Sequence, residues 1–374
     1  MNNKKLKLGL VGVGVPSAEK TWKSKVHSKI PSIAWSRYFP LIENNPKVEL
    51  VAVCDVVEEY LKKVQERYKV KQYFLNYDEM LEKADIDAVI ITTPHNLHAS
   101  MAIAAANAGK HICMEKPLAT NLEEAKKVVE AARKNRVKLM VMPYIYNEFF
   151  LKIKELLDTN TLGKVCIVRG KFSHMGPGHS EWFYKKGGGV VFDLGIYPVS
   201  TITGWLGPAK KVHAFVGTAI KERYVRDKKI NVETEDNAII GLDFGEGVFA
   251  SIETNYCTIT GMELGASYEI HSEHGSIFLE NWETILRIYI DKPLYSDLKG
   301  WMEFRREGGP LSDPIIEYFA NSILEDKDIS FWGEHQIHVI EILEKSILSS
   351  NLGKTLELTT NFKKPNFFTY KELT

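Results

Sequence analysis

The chain has 374 residues, 44% hydrophobic and 26% charged, so it can bury a large core and suits two domains that share a cleft. Lysine plus arginine equals aspartate plus glutamate at 48 each, so no net charge favours nucleic acid or an anionic membrane as partner. No apolar run is long enough to span a bilayer, and the four cysteines lack the C-x-x-C spacing of a zinc ribbon or redox dithiol, so we expect a cytoplasmic protein.

The first part of the chain alternates short apolar, β-branched runs with amphipathic stretches. This pattern predicts an α/β domain, over residues 1–143, whose parallel sheet carries helices on both faces. The strands are expected at residues 6–13, 48–54, 88–92, 111–114 and 138–142, and helices at residues 99–108 and 121–135.

A glycine turn ends the first predicted strand. Gly12 and Gly14 stand where backbone amides can approach a pyrophosphate, although a tight structural turn explains the pair nearly as well. Ser17 takes the place of the third glycine of the dinucleotide fingerprint, and an insertion over residues 16–33 separates the turn from the next helical pattern. The role of that insertion is not apparent from the sequence.

Asp55 ends the second predicted strand. A carboxylate there can accept hydrogen bonds from ribose hydroxyls and would repel a 2′-phosphate, which favours NAD over NADP. The alternative interpretation of Asp55 is a solvated acid in a turn.

Beyond about residue 163 the apolar pattern changes to strict alternation. Antiparallel strands are predicted at residues 166–172, 212–219, 237–243, 248–256 and 267–272, and helices at residues 313–324 and 333–351. We therefore expect a second, α+β domain over residues 144–374, with its helix at about 333–351 packed back against the first domain.

Several motifs recur in the order and spacing of one oxidoreductase family. They are Thr92-Thr93-Pro94-His95-Asn96-Leu97-His98, then Glu115-Lys116-Pro117, then Gly187-Gly188-Gly189 with Asp193 and Tyr197, and finally Asn351-Leu352-Gly353-Lys354. Nearly end to end, the chain resembles the Gfo/Idh/MocA family, which includes glucose-fructose oxidoreductase and inositol dehydrogenase.

The resemblance implies an N-terminal Rossmann domain followed by an α+β domain with a large, mostly antiparallel, open sheet. It implies that bound NAD lies at the cleft between the two domains, and that the bond before Pro117 is cis. Beyond Gly12, Gly14 and Asp55, it implies cofactor contacts from Thr93, Pro94, His98, Glu115 and Lys116. A homodimer or homotetramer, assembled through the open sheet face, is also implied.

The resemblance further implies three catalytic residues, Lys116, Asp193 and Tyr197. Family members carry histidine or tyrosine at the last position, so this chain is the tyrosine variant. A nearby ammonium favours the phenolate, so Tyr197 is expected to act as acid/base and Lys116 as its electrostatic partner. Asp193, four residues before Tyr197 on one helix face, would orient either the lysine or a substrate hydroxyl. In the alternative interpretation, Lys116 and Asp193 form an ordinary interdomain salt bridge and Tyr197 belongs to the core.

Candidate substrate contacts are Tyr144, at the end of the last Rossmann strand, and His174, His179 and Trp182, in a glycine-rich loop. An aromatic platform with imidazoles suits a sugar ring, whereas the spacing of the two histidines gives no metal site. His95 replaces an asparagine that is common in the family, which leaves the substrate's identity open.

The motifs thus predict an NAD(H)-dependent dehydrogenase or reductase that transfers a hydride to or from a carbinol or carbonyl carbon of a sugar, cyclic polyol or sugar derivative. Two alternatives remain open at this point. One is an NAD-dependent glycoside hydrolase, which oxidises its substrate transiently, and the other is a non-catalytic module that senses nucleotide or sugar.

Overall fold

The structure, a computed structural model, describes residues 5–15, 32–142, 148–259, 266–280, 284–291, 300–305, 315–327 and 331–364. Among these residues, no helix has the length and apolar character needed to cross a membrane.

The first domain is built on a six-stranded parallel sheet in the order β3-β2-β1-β4-β5-β6. Its strands are nearly continuous apolar runs because helices cover both faces, and every residue of β4 is buried. The strands are β1 Leu6–Val11, β2 Val48–Cys54, β3 Gln72–Phe74, β4 Ala88–Ile91, β5 His111–Met114 and β6 Leu139–Val141. The helices are α1 Phe39–Glu43, entered through a π-helical turn at Ala34–Tyr38, α2 Glu58–Tyr68, α3 Tyr77–Lys83, α4 His95–Asn107 and α5 Leu122–Lys134.

The second domain contains a nine-stranded sheet in the order β16-β15-β14-β13-β7-β12-β11-β8-β17. All neighbouring strands run antiparallel except β7 and β12, which are parallel. The large strands are β7 Val165–Ser173, β8 Lys211–Gly217, β11 Asn237–Gly245, β12 Val248–Asn255, β13 Ala266–Ser272, β14 Gly275–Glu280, β15 Ile285–Ile290 and β16 Gly300–Arg305, with the short edge strand β17 Leu356–Glu357. A separate hairpin pairs β9 Glu222–Val225 with β10 Lys228–Asn231.

Helices α7 Ile196–Leu206 and α9 Phe331–Leu352 cover one face of this large sheet, α7 against β7 and β12 and α9 against β8. Helix α6 Glu148–Asp158 packs on α7, and a π-helical turn at Val191–Gly195 leads directly into α7. Helix α8 Ile315–Leu324 bonds to Lys47 of the first domain through Glu317 and Asn321. The outer face keeps large apolar side chains exposed, among them Phe215, Ile239 and Phe249. This uncovered face explains why the strands alternate buried and exposed residues.

Helix α9 contacts both domains. It packs against α5 and β6 of the first domain and against α7 and β8 of the second. The carboxylate of Glu344 accepts a hydrogen bond from the amide of Leu122 at 3.0 Å, and His335 contacts the hydroxyl of Thr203 at 2.8 Å. The predicted fold class is therefore confirmed, while the boundary between residues 143 and 144 stays a prediction because residues 143–147 lie outside the described residues.

Candidate active site

The first half of the site lies along the carboxyl edge of the parallel sheet. The glycine turn follows β1, Asp55 follows β2, Thr93 and Pro94 follow β4, and Glu115 and Lys116 follow β5. Because these strands are adjacent in the order β2-β1-β4-β5, the side chains meet at one rim, where open α/β sheets bind ligands.

The turn after β1 requires glycine. Gly12 has φ +87°, and a Cβ there would lie 2.8 Å from the backbone of Thr92 and Thr93. Gly14 has φ +62°, and a Cβ there would lie 2.7 Å from the side chain of Ser32. The turn is therefore packed tightly against the loop that follows β4.

The chain after the insertion closes onto this turn. The amide of Ser32 donates to the carbonyl of Val15 at 3.0 Å, and its hydroxyl donates to the carbonyl of Val13 at 2.6 Å. Ser17, predicted in the third glycine's place, lies outside the described residues. The π-helical turn that leads into α1 begins at Ala34, a small residue that is fully buried. The insertion thus leaves the turn at Val15 and returns to it at Ser32.

The carboxylate of Asp55, at the end of β2, accepts a hydrogen bond from the glycine turn that follows β1. One oxygen accepts from the amide of Gly14 at 2.8 Å and the other from the amide of Val57 at 3.0 Å. Each oxygen keeps a further lone pair, so both can still accept from ribose hydroxyls. The residue between them, Val56, is 87% exposed and offers an apolar surface at the same rim.

Two predicted cofactor residues have structural partners. His98 is wholly buried, with Nδ1 2.6 Å from the carbonyl oxygen of Pro117 and Nε2 2.8 Å from that of Thr93, so it holds two rim loops together. The carboxylate of Glu115 accepts from the hydroxyl of Tyr38 at 3.0 Å. The bond between Lys116 and Pro117 is cis, as the resemblance implied.

Lys116 and Asp193 meet across the two domains. The Nζ of Lys116 donates to both the carbonyl oxygen and Oδ1 of Asp193, each at 2.7 Å. Both side chains are nearly buried, at 11% and 8% exposed. The same ammonium lies 4.8 Å from the centre of the Tyr197 ring, so the three predicted catalytic residues form one cluster.

Tyr256 completes the cluster and was missed in the sequence analysis. Its hydroxyl donates to Oδ2 of Asp193 at 2.7 Å, in a fully buried environment. Burial on its own raises the pKa of Asp193, but the charge of Lys116, the neighbouring His95 and hydrogen bonds from Lys116 and Tyr256 outweigh it and lower this pKa to about 2. Asp193 is therefore an ionised, doubly held carboxylate at neutral pH.

Two predicted substrate residues, His174 and His179, lie close enough to Asp193 to feel its charge. The ring of His174 stacks on that of Tyr256 at 5.4 Å between centroids, and the ring of His179 lies 5.4 Å from that of Phe183. Burial lowers the pKa of both histidines. Because the amide of Gly176 donates to Nδ1 of His174 at 2.9 Å, a neutral His174 carries its proton on Nε2. Tyr144, the fourth predicted contact, lies outside the described residues.

His95 joins the two domains beside this cluster. Its ring lies 4.6 Å from that of Trp182 in an edge-to-face arrangement. Burial and the charge of Lys116 lower the pKa of His95, so the imidazole is neutral. The sequence singled out His95 only as an unusual residue in its motif.

Comparisons with known proteins identify the family of both domains. Residues 32–142 match the profile described as an oxidoreductase family with an NAD-binding Rossmann fold, and residues 150–278 match the C-terminal domain of the same Gfo/Idh/MocA family. The first match begins where the chain returns from the insertion.

Curated relatives that match over much of the chain are oxidoreductases. A dTDP-3,4-didehydro-2,6-dideoxy-α-D-glucose 3-reductase of Actinomadura kijaniata is 29% identical over 81% of this chain and 86% of its own length. A myo-inositol 2-dehydrogenase of Thermotoga maritima is 26% identical over 62% of this chain and 68% of its own.

The fold also matches solved structures. A levoglucosan dehydrogenase in complex with NADH and L-sorbose superposes with a TM-score of 0.77 at 22% identity, over 95% of this chain and 99% of that one. The two family profiles together span more than half of the sequence. The chain belongs to the Gfo/Idh/MocA family of NAD-dependent oxidoreductases, and residues 32–142 lie in its NAD-binding Rossmann domain.

Proposed function

We propose that this oxidoreductase transfers a hydride between NAD(H) and a carbinol or carbonyl carbon of a sugar, cyclic polyol or sugar derivative. The observation that carries the proposal is the cluster of Lys116, Asp193, Tyr197 and Tyr256 at the rim where the two domains meet. A lysine and a tyrosine beside each other can move a proton on and off a hydroxyl.

The rim residues fit NAD better than NADP. Asp55 offers two carboxylate oxygens to ribose hydroxyls, and Glu58 and Glu59 open the helix that follows. A 2′-phosphate would meet this acidic segment with no basic residue between Asp55 and Glu59 to receive it. The dehydrogenase structure of similar fold holds NADH, which agrees with this preference.

Each catalytic residue has a distinct role in the proposal. Bound NAD supplies the hydride acceptor. Lys116 directs two hydrogen bonds to Asp193, so its third N–H can stabilise negative charge on the substrate oxygen. Tyr197, whose ring lies against that ammonium, takes or gives the hydroxyl proton. Asp193 orients Lys116 and not a substrate hydroxyl, because it accepts both hydrogen bonds from the lysine.

The substrate class rests on the relatives and on the loop beside the cluster. The two curated relatives act on a deoxysugar nucleotide and on myo-inositol, both of which carry ring hydroxyls or carbonyls. His174 with a proton on Nε2, His179 and Trp182 would contact such a ring through hydrogen bonds and an aromatic face. Tyr144 is retained as a fourth contact.

The outer face of the large sheet supports assembly into a homodimer or homotetramer. Phe215, Ile239 and Phe249 are 71%, 55% and 50% exposed, and they lie on three neighbouring strands. Exposed apolar side chains on one flat face are typical of a surface that pairs with a second copy. None of the four cysteines, all of them among the described residues, forms a disulfide, which agrees with a reducing cytoplasm.

The experiment has two parts. Tryptophan-sensitised fluorescence of NADH and NADPH measures cofactor binding, and NAD reduction is then followed with myo-inositol, D-glucose and levoglucosan. Lys116→Met should abolish turnover while NADH affinity stays within about threefold, because the substitution removes charge at the reacting centre and leaves Asp55 and the turn in place. Near-normal turnover in this variant would mean that Lys116 and Asp193 form only an interdomain salt bridge. Release of free sugar without NADH would indicate the hydrolase instead.

A further inference from the structure

The helix that bears Asp193 and Tyr197 begins at a glycine with no side chain to cap it. The described helix runs from Val190 through the π-helical turn into α7, and Gly189 precedes it with φ +100°. The first amides of a helix have no partner within the helix, so an external acceptor must satisfy them. Here the acceptor comes from another part of the chain.

Glu235, just before β11, supplies that acceptor twice. Its backbone carbonyl accepts from the amide of Val190 at 3.2 Å, and its Oε1 accepts from the amide of Val191 at 3.2 Å. The hydroxyl of Thr234 donates to Oε2 at 2.5 Å and fixes the rotation of the carboxyl group. A negative or polar oxygen at a helix N-terminus also interacts favourably with the helix dipole.

The carboxyl group of Glu235 occupies the space where other residues would carry a side chain. A Cβ on Gly189 would lie 2.1 Å from Oε1 of Glu235. The carbonyl of Gly189 in turn accepts from the amide of Asp193 at 3.1 Å, the first turn of the helix. Displacement of Gly189 or Val191 therefore moves Asp193 directly.

We propose that Glu235 is a positioning residue for catalysis, which caps the helix and so sets the Asp193 carboxylate against Lys116. This inference rests on the proposed function and adds a role for the third glycine of the Gly187-Gly188-Gly189 run. That glycine is needed because it makes room for the capping carboxyl group. Burial raises the pKa of Glu235, which agrees with a cap that works through hydrogen-bond acceptance.

The test compares two substitutions of similar size. Glu235→Met removes the acceptor, whereas Glu235→Gln keeps an oxygen that can accept from Val191. Glu235→Met should lower kcat about 10- to 100-fold with KM for NAD within twofold, since the cofactor rim is untouched and the reacting groups are displaced. Glu235→Gln should retain at least half of wild-type kcat. The probe is NAD with whichever of myo-inositol, D-glucose or levoglucosan is oxidised fastest.

Two further variants serve as a control and as a second test. Glu233, two residues earlier and paired with Lys185, is the matched control, and Glu233→Met should leave kcat unchanged. Gly189→Ala should reproduce the low kcat, because its Cβ displaces the carboxyl group of Glu235. This variant replaces Glu235→Met in the test if Glu235→Met does not fold.

Equal kcat in Glu235→Met and wild type would overturn the inference. So would a parallel loss of kcat and rise of KM in both Glu235 variants, which a general structural defect would cause. If Lys116→Met is inactive while Glu235→Met is fully active, this inference alone fails. If Lys116→Met is active, the proposed function fails.

Discussion

Substitution of Tyr256 by phenylalanine isolates one hydrogen bond of the site. The hydroxyl of Tyr256 donates to Oδ2 of Asp193 at 2.7 Å, and the ring stacks on that of His174. Phenylalanine keeps the ring and its packing, so no cavity opens and the stacking remains. Only the hydrogen bond to the buried carboxylate is lost.

The size of the effect follows from the charge on the acceptor, Asp193. A hydrogen bond to a charged group contributes about 1.5–3 kcal/mol, so Tyr256→Phe should lower the free energy of unfolding at pH 7 by that amount. The pKa of Asp193 should rise from about 2 towards its usual value of about 3.9, which still leaves the carboxylate ionised at pH 7. Any loss of activity at pH 7 then reflects orientation. We expect kcat to fall about tenfold, which corresponds to about 1.4 kcal/mol.

Urea unfolding followed by circular dichroism measures the stability change, and initial rates of NAD reduction measure kcat and KM. Tyr184→Phe is the matched control, since Tyr184 is also buried and its hydroxyl interacts with Arg223. That variant should lose stability as well but keep kcat within about twofold, because its hydroxyl bonds to Arg223 and phenylalanine keeps the ring that packs against Tyr256. If both variants keep wild-type kcat, Tyr256 does not hold the catalytic carboxylate and the reasoning is refuted.

Three further predictions concern the cofactor rim, acid stability and assembly. Asp55→Ala should weaken NADH binding about tenfold and reduce the preference for NADH over NADPH. Fluorescence titration with each cofactor measures both affinities. An unchanged ratio of the two affinities would mean that Asp55 only stabilises the turn. Because the folded pKa of Asp193 is lowered to about 2, its contribution to stability is complete above about pH 4 and is lost as the pH falls through about 2. Acid titration of wild type and Tyr256→Phe should therefore show the stability difference shrinking below about pH 4, and a constant difference would contradict the assignment. Phe249→Asp, on the exposed sheet face, should shift the protein towards monomer in light scattering, whereas an unchanged mass would place the interface elsewhere.

The local signals in the sequence predicted most of the first domain. Five of its six strands and the helices at α4 and α5 were expected, because long apolar runs and capping residues are read within a few neighbouring positions. The short strand Gln72–Phe74 was missed, since three partly exposed residues give no apolar run. In the second domain, the strands from Gly275 onwards were missed as well.

The contacts of the site depend on pairings that no local pattern reveals. Tyr256 lies beside His174 only because β12 pairs with β7 in the register that sets Asn255 opposite Ser173. Within a sheet correctly predicted as mostly antiparallel, no local pattern marks β7 and β12 as its parallel pair, so the sequence could not predict the neighbours of Tyr256. Lys116 and Asp193 were predicted together only through the family resemblance, since they are 77 residues apart.

The dependence of the site on both domains gives α9 a mechanistic importance. Lys116 belongs to the first domain and Asp193 to the second, so a wider cleft would separate two nearly buried charges, and an unpaired buried charge costs about 3–5 kcal/mol. Helix α9 bonds to the first domain at Leu122 and to the second at Thr203, which lies on the same continuous helix as Asp193. The helix therefore holds the distance across which the ammonium and the carboxylate meet. Separation of the domains would carry that cost, so we expect the two domains to stay together while ligands exchange.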